Sequence, residues 1–274
     1  AIGTFAAVGD AGPTIEQRLA LRLGLEPAGL PMRSSFDRAT DYVCALGILA
    51  STAQRIAQDV VFMQRTEVGE VAEAFHLGKV GSSTMAQKRN PSTALLLVSL
   101  ARMLRGRVPL AMESMVRMDE GDSAATNVGD TLLPELAILA ASVAQTLARL
   151  AQGLQADAAA MRRNLGLTQG LIASEAVMMA LSRSMGRHEA HRLLYDAAQH
   201  AQTERRPFAD AIAEHPLFVQ RAGTLELGPT LDPEAYVGQS ARLTRQTVAR
   251  TRFSAAPGPD RPAAVPPSTD PRAT

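Results

Sequence analysis

Tryptophan is absent from this 274-residue chain, and aromatic residues of every kind make up only 4% of it. Sheet sandwiches and barrels fill their pleated faces with aromatic and β-branched side chains. Their scarcity, beside abundant Ala and Leu, favours helices packed through small and aliphatic groups. No stretch alternates strictly between apolar and polar residues, so no strand is expected. Cysteine is nearly missing as well. The single Cys44 cannot close an internal disulfide, which fits a reducing compartment, and it falls inside a helical pattern as a structural thiol rather than a nucleophile. Neither sign of charge is in excess: the formal net charge is +1, which gives no electrostatic reason to expect nucleic acid or an anionic membrane as partner. No uninterrupted apolar run reaches the ~18 residues of a membrane span; the stretch 91–105 is broken by Arg102 and Arg105. Ala1-Ile2-Gly3-Thr4 lacks the basic region of a signal peptide. The expectation is a cytoplasmic helical protein with neither nucleic acid nor membrane as partner.

Lysine is the most instructive shortage. The chain uses arginine throughout, and its two lysines, Lys79 and Lys88, lie in or beside one glycine- and serine-rich segment, Gly81-Ser82-Ser83-Thr84-Met85-Ala86-Gln87-Lys88-Arg89-Asn90-Pro91. A compact ammonium whose pKa can be tuned differs from a guanidinium in what it does in a site. A glycine-serine backbone can bring amide N–H groups close to a ligand. A GC-rich genome that thins out lysine is the competing explanation.

Long helical patterns flank this loop. From about residue 36 to Arg65, Phe36, Ala39, Val43, Leu46, Ala50, Ala53, Ala57 and Val60 recur in steps of three and four. A second stripe, Tyr42, Leu49, Ile56 and Met63, repeats every seven. Apolar residues on two stripes place such a helix inside a bundle or an oligomer core. Ser34 or Ser35 can cap it, with Asp37 in its first turn, and a shorter amphipathic helix over about 14–24 precedes it. After the loop, Asn90-Pro91 offers an N-cap with proline at N1 for a helix reaching about Met115, kinked at Pro109. Pro134 is expected to open a third long helix, to about Leu154. Beyond it, shorter helices are expected over 157–164, 171–184, 187–203, 207–214 and 233–251. The reading is all-α: an elongated long-helix bundle over 1–154, holding the loop at 78–91, a smaller helical domain over 155–252, and a Pro-rich disordered tail over 253–274.

Gly81, Ser82, Ser83, Met85, Lys88, Asn90 and Pro91 resemble the signature of the fumarase/aspartase superfamily, Gly-Ser-Ser-x-Met-Pro-x-Lys-x-Asn-Pro. Gln64-Arg65-Thr66-Glu67-Val68-Gly69-Glu70-Val71, Met161-Arg162-Arg163-Asn164-Leu165 with Thr168-Gln169-Gly170-Leu171, and Gly186-Arg187 with Ala190-His191 are similar to its adenylosuccinate lyase and carboxymuconate cycloisomerase branch. Leu231-Asp232-Pro233-Glu234-Ala235-Tyr236-Val237-Gly238-Gln239 is most similar to the bacterial 3-carboxy-cis,cis-muconate cycloisomerases of aromatic-compound catabolism, the β-ketoadipate pathway. The resemblance implies an enzyme that adds or eliminates a group next to a carboxylate, through a carbanion held as its aci-carboxylate. It makes Ser82 the base, a hydroxyl that surrounding amides and cations must ionise. Lys88 and Asn90 hold the substrate carboxylate, with Ser83 and Thr84 beside them. It also implies a homotetramer with sites shared between subunits, a small polycarboxylate substrate, and no cofactor or metal.

Three departures qualify that picture. Ala86 replaces the signature proline and loosens the loop. Asp119-Glu120-Gly121 stands where the family has His-Glu-Arg, changing a partly cationic segment into an anionic one. The family's general-acid histidine comes from a segment upstream of this sequence, so the chain is expected to be the C-terminal part of a longer lyase and to lack a complete site alone. Ser174-Glu175-Ala176 replaces the Ser-Gln-Arg of adenylosuccinate lyases, removing an arginine that binds phosphate. A catalytically lapsed structural relative is the remaining alternative. His188 and His191, three apart, can share a metal with a third ligand, but their segment matches a domain that uses none; they are read as surface positions. His76 is read as a loop residue, and His200 and His215 are assigned no role. Glu67, Glu70 and Glu73, spaced by three, are read as a solvated or inter-subunit ion-pair face.

Overall fold

The computed structural model describes residues 4–29, 34–74, 84–85 and 87–255, with side chains through 251. Gly81, Ser82, Ser83 and Ala86, with His76 and Lys79, lie outside the described residues, as does the Pro-rich stretch from 256 onward. The described chain is almost wholly helical and divides into two compact units, one ending at Asp157 and the next starting at Ala158.

The first unit contains α1 (Ala11–Leu23), α2 (Asp37–Met63), α3 (Ser92–Arg105), α4 (Val108–Glu113) and α5 (Ser123–Gly153). α2 packs against α3, α4 and α5, and α3 packs against α5. The first of the two apolar stripes on α2 supplies its buried face: Val43, Ala50, Ala53, Ala57 and Val60. Leu97, Ala101 and Leu104 of α3 and Leu132, Leu136, Val143 and Leu150 of α5 complete this core. Small residues let the helices approach closely. A Cβ on Gly47 of α2 would lie 2.9 Å from Val108 of α4, and one on Gly129 of α5 would lie 2.6 Å from the Phe36 ring. That ring is itself capped by the Arg117 guanidinium, 5.2 Å from its centroid. The buried Thr40 hydroxyl donates to the Ala111 carbonyl at 3.0 Å, tying α2 to α4. The second stripe is different. Tyr42, Leu49 and Ile56 are exposed on the surface of this unit.

Several expected boundaries are corrected. Neither Ser34 nor Ser35 caps α2; Phe36 holds the N-cap position, and the Ser35 hydroxyl donates to the Asp37 carboxylate instead. The helix after the loop does not run to Met115 with a kink. It ends at Arg105, and α4 restarts with Pro109 in its first turn, where the missing N–H has no intrahelical partner to lose. α5 starts eleven residues before Pro134, at Ser123, because Asp122 is a better start signal. The Asp122 Oδ1 accepts the Ala125 N–H at 3.1 Å, Oδ2 accepts that of Met118 at 3.0 Å, and the Thr126 hydroxyl donates to the Asp122 carbonyl at 2.7 Å. Pro134 and Asp130, whose carbonyl loses its helical donor, are both exposed, so water can replace the lost bond. With its true start, α5 is long and apolar enough to cross a membrane by length and composition, which a count of uninterrupted apolar runs misses. The buried side chains just named use it as a bundle core helix. Finally, a two-residue antiparallel ladder joins β1 (Val71–Ala72) to β2 (Gln155–Ala156), pairing Val71 with Ala156 and Ala72 with Gln155. Two residues per strand are too few to leave an alternating pattern in the sequence.

The second unit contains α6 (Ala158–Leu165), α7 (Ser174–Met185), α8 (Arg187–Glu204), α9 (Phe208–Ala213), α10 (Pro216–Arg221), α11 (Leu227–Leu231) and α12 (Ser240–Ala255). Its core gathers Val177, Leu181, Leu193, Ala197, Phe208 and Ile212. The helix expected over 233–251 starts later, at Ser240 with α12, after a Pro- and Gly-bearing turn, and the short α11 before that turn lies outside every expected range. α10 was not expected at all. His215 provides its start, with Nδ1 accepting the Leu217 N–H at 3.2 Å. The stretches that resemble the lyases become joints here. Gly170 has φ +96, the Gln169 carbonyl accepts the Phe208 N–H at 3.0 Å, Arg162 pairs with Glu234, and the Tyr236 hydroxyl donates to Glu175 at 2.9 Å.

Two consequences are measurable. Gly129→Ala gains helix propensity of up to about 1 kcal/mol, but pushing a methyl into the Phe36 ring costs about 1–3 kcal/mol. Urea unfolding should show net destabilisation, relieved in the double variant Gly129→Ala, Phe36→Leu. The second concerns pH. The Met118 amide, then that of Ala125, hold the Asp122 carboxyl below its ordinary pKa. A depressed folded-state value means that Asp122 stabilises the fold above its unfolded pKa, and that this stabilisation is lost as pH falls through the folded value. Thermal melts of Asp122→Ala and the parent should therefore differ at neutral pH and converge in acid.

Candidate functional site

The loop residues of interest sit where α2 ends and α3 begins. α2 stops at Met63, and a tight turn follows in which the Val68 and Gly69 amides donate to the Arg65 carbonyl at 3.0 and 2.7 Å. Gly69, at φ +65, adopts the left-handed conformation that closes it. The Glu70 amide returns to the Met63 carbonyl at 3.0 Å, and β1 then runs back along the end of the helix. Ala74 ends up against Gly153 of α5, where a Cβ would approach to 2.7 Å.

α3 begins without a capping side chain of its own. Pro91, rather than Asn90, occupies its N-cap position, contrary to the sequence expectation, and makes no side-chain cap. The orphan amides are satisfied from a distance. Glu73, only 8% exposed, accepts the Thr93 N–H at 3.0 Å on Oε2 and the Ala94 N–H at 2.6 Å on Oε1. A carboxylate there also faces the positive end of the helix dipole. The expected face of Glu67, Glu70 and Glu73 does not exist, because the helix has ended before Glu67 and the three are not aligned. Gln64, the C-cap residue of α2, joins both sides. Its Oε1 accepts the Glu73 N–H at 2.9 Å, and its Nε2 donates to the Arg89 carbonyl at 3.4 Å. No short-range pattern marks Gln64 or Glu73, since their partners lie 9 to 25 residues away in sequence.

Around this junction lies a cleft of about 920 Å³. Lys88 and Asn90 both line it, with Arg65 and Arg89 as further cations and Glu67 and Glu73 as acids. Because the Glu73 carboxylate is directed to the α3 amides, the polar lining favours an anion. Lys88 is exposed, and its own amide donates to the Met85 carbonyl at 3.2 Å in a turn. Thr84 is exposed and is not part of the lining; Ser82 and Ser83 lie outside the described residues. Asp119, Glu120 and Asp122 do not line the cleft either. Asp119 sits at φ +57 in the turn before α5, and the Glu120 carbonyl accepts from the Ser34 hydroxyl at 3.2 Å. In the second unit His188 and His191 are exposed, and a smaller cavity of about 340 Å³ is lined by His191, Tyr195 and Glu175. Among the described residues no group of three His, Cys, Asp or Glu side chains could hold a metal ion. Cys44 is half-buried in α2.

Two comparisons by sequence and one by structure converge on this arrangement. Residues 10–106 match the family described as "Lyase", and residues 170–247 match "Adenylosuccinate lyase C-terminus". The chain is 33% identical to the N-acetyl-S-(2-succino)cysteine lyase of Dickeya dadantii over 90% of its own length and 55% of that protein's. It is 35% identical to the 3-carboxy-cis,cis-muconate cycloisomerase of Pseudomonas aeruginosa, over 91% of its length and 54% of the relative's. The crystal structure of the 3-carboxy-cis,cis-muconate lactonizing enzyme from Pseudomonas putida superposes with a TM-score of 0.80 at 33% identity, covering 93% of this chain and 57% of that one. The chain thus spans about half the length of the relatives it matches. Along one all-α chain the protein carries matches to the Lyase and the adenylosuccinate lyase C-terminus families, and it is similar to lyases of the fumarase/aspartase superfamily.

Proposed function

We propose that the protein is a lyase or cycloisomerase that removes a proton next to a carboxylate, with 3-carboxy-cis,cis-muconate or a similar small polycarboxylate as substrate. The observation that carries this reading is the presence of Lys88 and Asn90 in one cleft whose polar lining favours an anion, within a sequence similar to lyases of that chemistry. Ser82 acts as the base. Its ionised hydroxyl takes the proton from the carbon beside the carboxylate, and the electron pair passes into that carboxylate as the aci form. The Lys88 ammonium and the Asn90 amide hold the charge that develops, which a fixed donor does better than mobile water. Ser83 and Thr84 contact the substrate beside them. In the direction of lactone formation, a carboxylate oxygen adds across the double bond and the carbanion is protonated; the reverse step breaks that C–O bond. No cofactor is required by this sequence of steps. The reaction serves aromatic-compound catabolism by the β-ketoadipate route in the cytoplasm, in a homotetramer whose sites draw on several subunits. The exposed stripe of Tyr42, Leu49 and Ile56 on α2 supports such an assembly.

A second reading has a specific observation behind it. A relative of nearly equal identity is an N-acetyl-S-(2-succino)cysteine lyase. The same base and carboxylate clamp would then break a C–S bond, releasing a thiol and an unsaturated diacid. An adenylosuccinate-type substrate is less favoured despite the match over 170–247: Ala176 replaces the phosphate-binding arginine, and the neighbouring Glu175 is engaged by Tyr236. Loss of activity, the reading that Asp119-Glu120-Gly121 invites, is tested by the same assays.

The full-length protein should convert 3-carboxy-cis,cis-muconate to its lactone, followed by the loss of diene absorbance, with N-acetyl-S-(2-succino)cysteine and adenylosuccinate assayed alongside. Ser82→Ala should lower kcat by about 10²–10⁴-fold, and Lys88→Ala should lower kcat/KM by about 10²–10³-fold. Turnover of none of the three acids, or full activity in Ser82→Ala, would overturn the proposal.

A further inference from the structure

The second stripe of α2, the arginine-rich α12 and the cavity beside His191 carry less than the junction that frames the main cleft. There, two side chains assigned no part in the chemistry bind backbone on both sides of the signature segment. The Glu73 carboxylate holds the first amides of α3, immediately after Asn90 and Pro91. Gln64 holds the Glu73 amide with its oxygen and the Arg89 carbonyl with its nitrogen, between Lys88 and Asn90 in sequence. A single amide side chain on the end of α2 thereby fixes both the strand that delivers Glu73 and the peptide that carries the two carboxylate-binding residues.

We propose that Gln64 and Glu73 are positioning residues for Lys88 and Asn90, a role that rests on the carboxylate-binding function proposed for those two. The geometry makes the assignment specific. Gln64 needs one acceptor and one donor, since it meets an N–H on one side and a carbonyl on the other. Glutamate in its place keeps the acceptor and turns a carboxylate oxygen toward the Arg89 carbonyl. Leucine keeps the bulk and loses both bonds. Glu73 meets two separate amides with two oxygens. Glutamine there keeps one acceptor and its remaining donor opposes an N–H, while alanine leaves both amides of α3 without their partner. Neither residue need touch substrate to matter, because a displacement of about 1 Å in a binding group can cost on the order of 10²-fold in rate.

The test compares Gln64→Leu, Gln64→Glu, Glu73→Gln and Glu73→Ala with the parent in the full-length protein. Simple loss of folded enzyme lowers kcat at unchanged KM, whereas displacement of Lys88 and Asn90 raises KM. The expected result is a KM raised about 10–100-fold in Gln64→Leu, Gln64→Glu and Glu73→Ala, with Glu73→Gln least affected, while far-UV circular dichroism stays at the parent's level. Hydrogen exchange of the 87–95 backbone supplies a second readout that needs no activity. It should quicken at Thr93 and Ala94 in Glu73→Ala and around Arg89 in both Gln64 variants. Should Glu73→Ala fail to fold, the two Gln64 variants and Glu73→Gln decide the matter. Folded variants with the parent's KM and the parent's exchange pattern would overturn the assignment. If the parent itself turns over no acid, the proposed function fails, and the exchange pattern still reports whether Gln64 and Glu73 set this segment; unchanged exchange then overturns it as well.

Discussion

The start of an α-helix presents amides that no residue within the helix can satisfy, and the way α3 meets that need organises the surrounding structure. Its N-cap residue is Pro91, whose side chain brings no acceptor to those amides. The remedy comes from Glu73, brought by a strand of two residues and buried against the amides of Thr93 and Ala94. Burying a carboxylate is costly by itself. Hydrogen bonds to a charged group, at about 1.5–3 kcal/mol each, together with the helix dipole, offset that cost only while the geometry holds. The turn at Gly69, the Glu70 return to Met63, the β1–β2 ladder and the close approach of Ala74 to Gly153 all serve to bring Glu73 to that point.

The bundle was legible in the sequence for a plain reason. Three- and four-residue spacing over Val43, Ala50, Ala53, Ala57 and Val60 forces one face inward, whatever the neighbours are. The helix starts were legible only where the cap was local and unambiguous. Pro134 looks like a start because proline is favoured at a first turn, yet Asp122, with two amides and a following Thr126, is the stronger signal, and an exposed proline inside a long helix is tolerated. Pro109 shows the converse. It sits in a first turn, and the helix before it has already ended.

The site divides in the same way. Lys88 and Asn90 are carried by a short pattern, and both line one cleft. The spacing of Glu67, Glu70 and Glu73 by three suggests a solvated acidic face on a helix, but the helix ends at Met63. No short pattern marks Gln64 or Glu73, whose partners lie 9 to 25 residues away in sequence. What decides their role is distance in space, and no spacing within one element encodes that.

The anionic run Asp119 to Asp122 can be weighed in the same terms. In sequence it opposes an anionic substrate, but much of its charge is already occupied or remote. The Asp122 carboxylate accepts two backbone amides at the head of α5, and Arg117 lies nearby, stacked on Phe36 and donating to Thr126. Neither Asp119 nor Glu120 faces the cleft that Lys88 borders in this chain. The left-handed backbone at Asp119 is tolerated by aspartate better than by most residues. An acidic turn of this kind therefore has a structural cause that does not depend on the substrate.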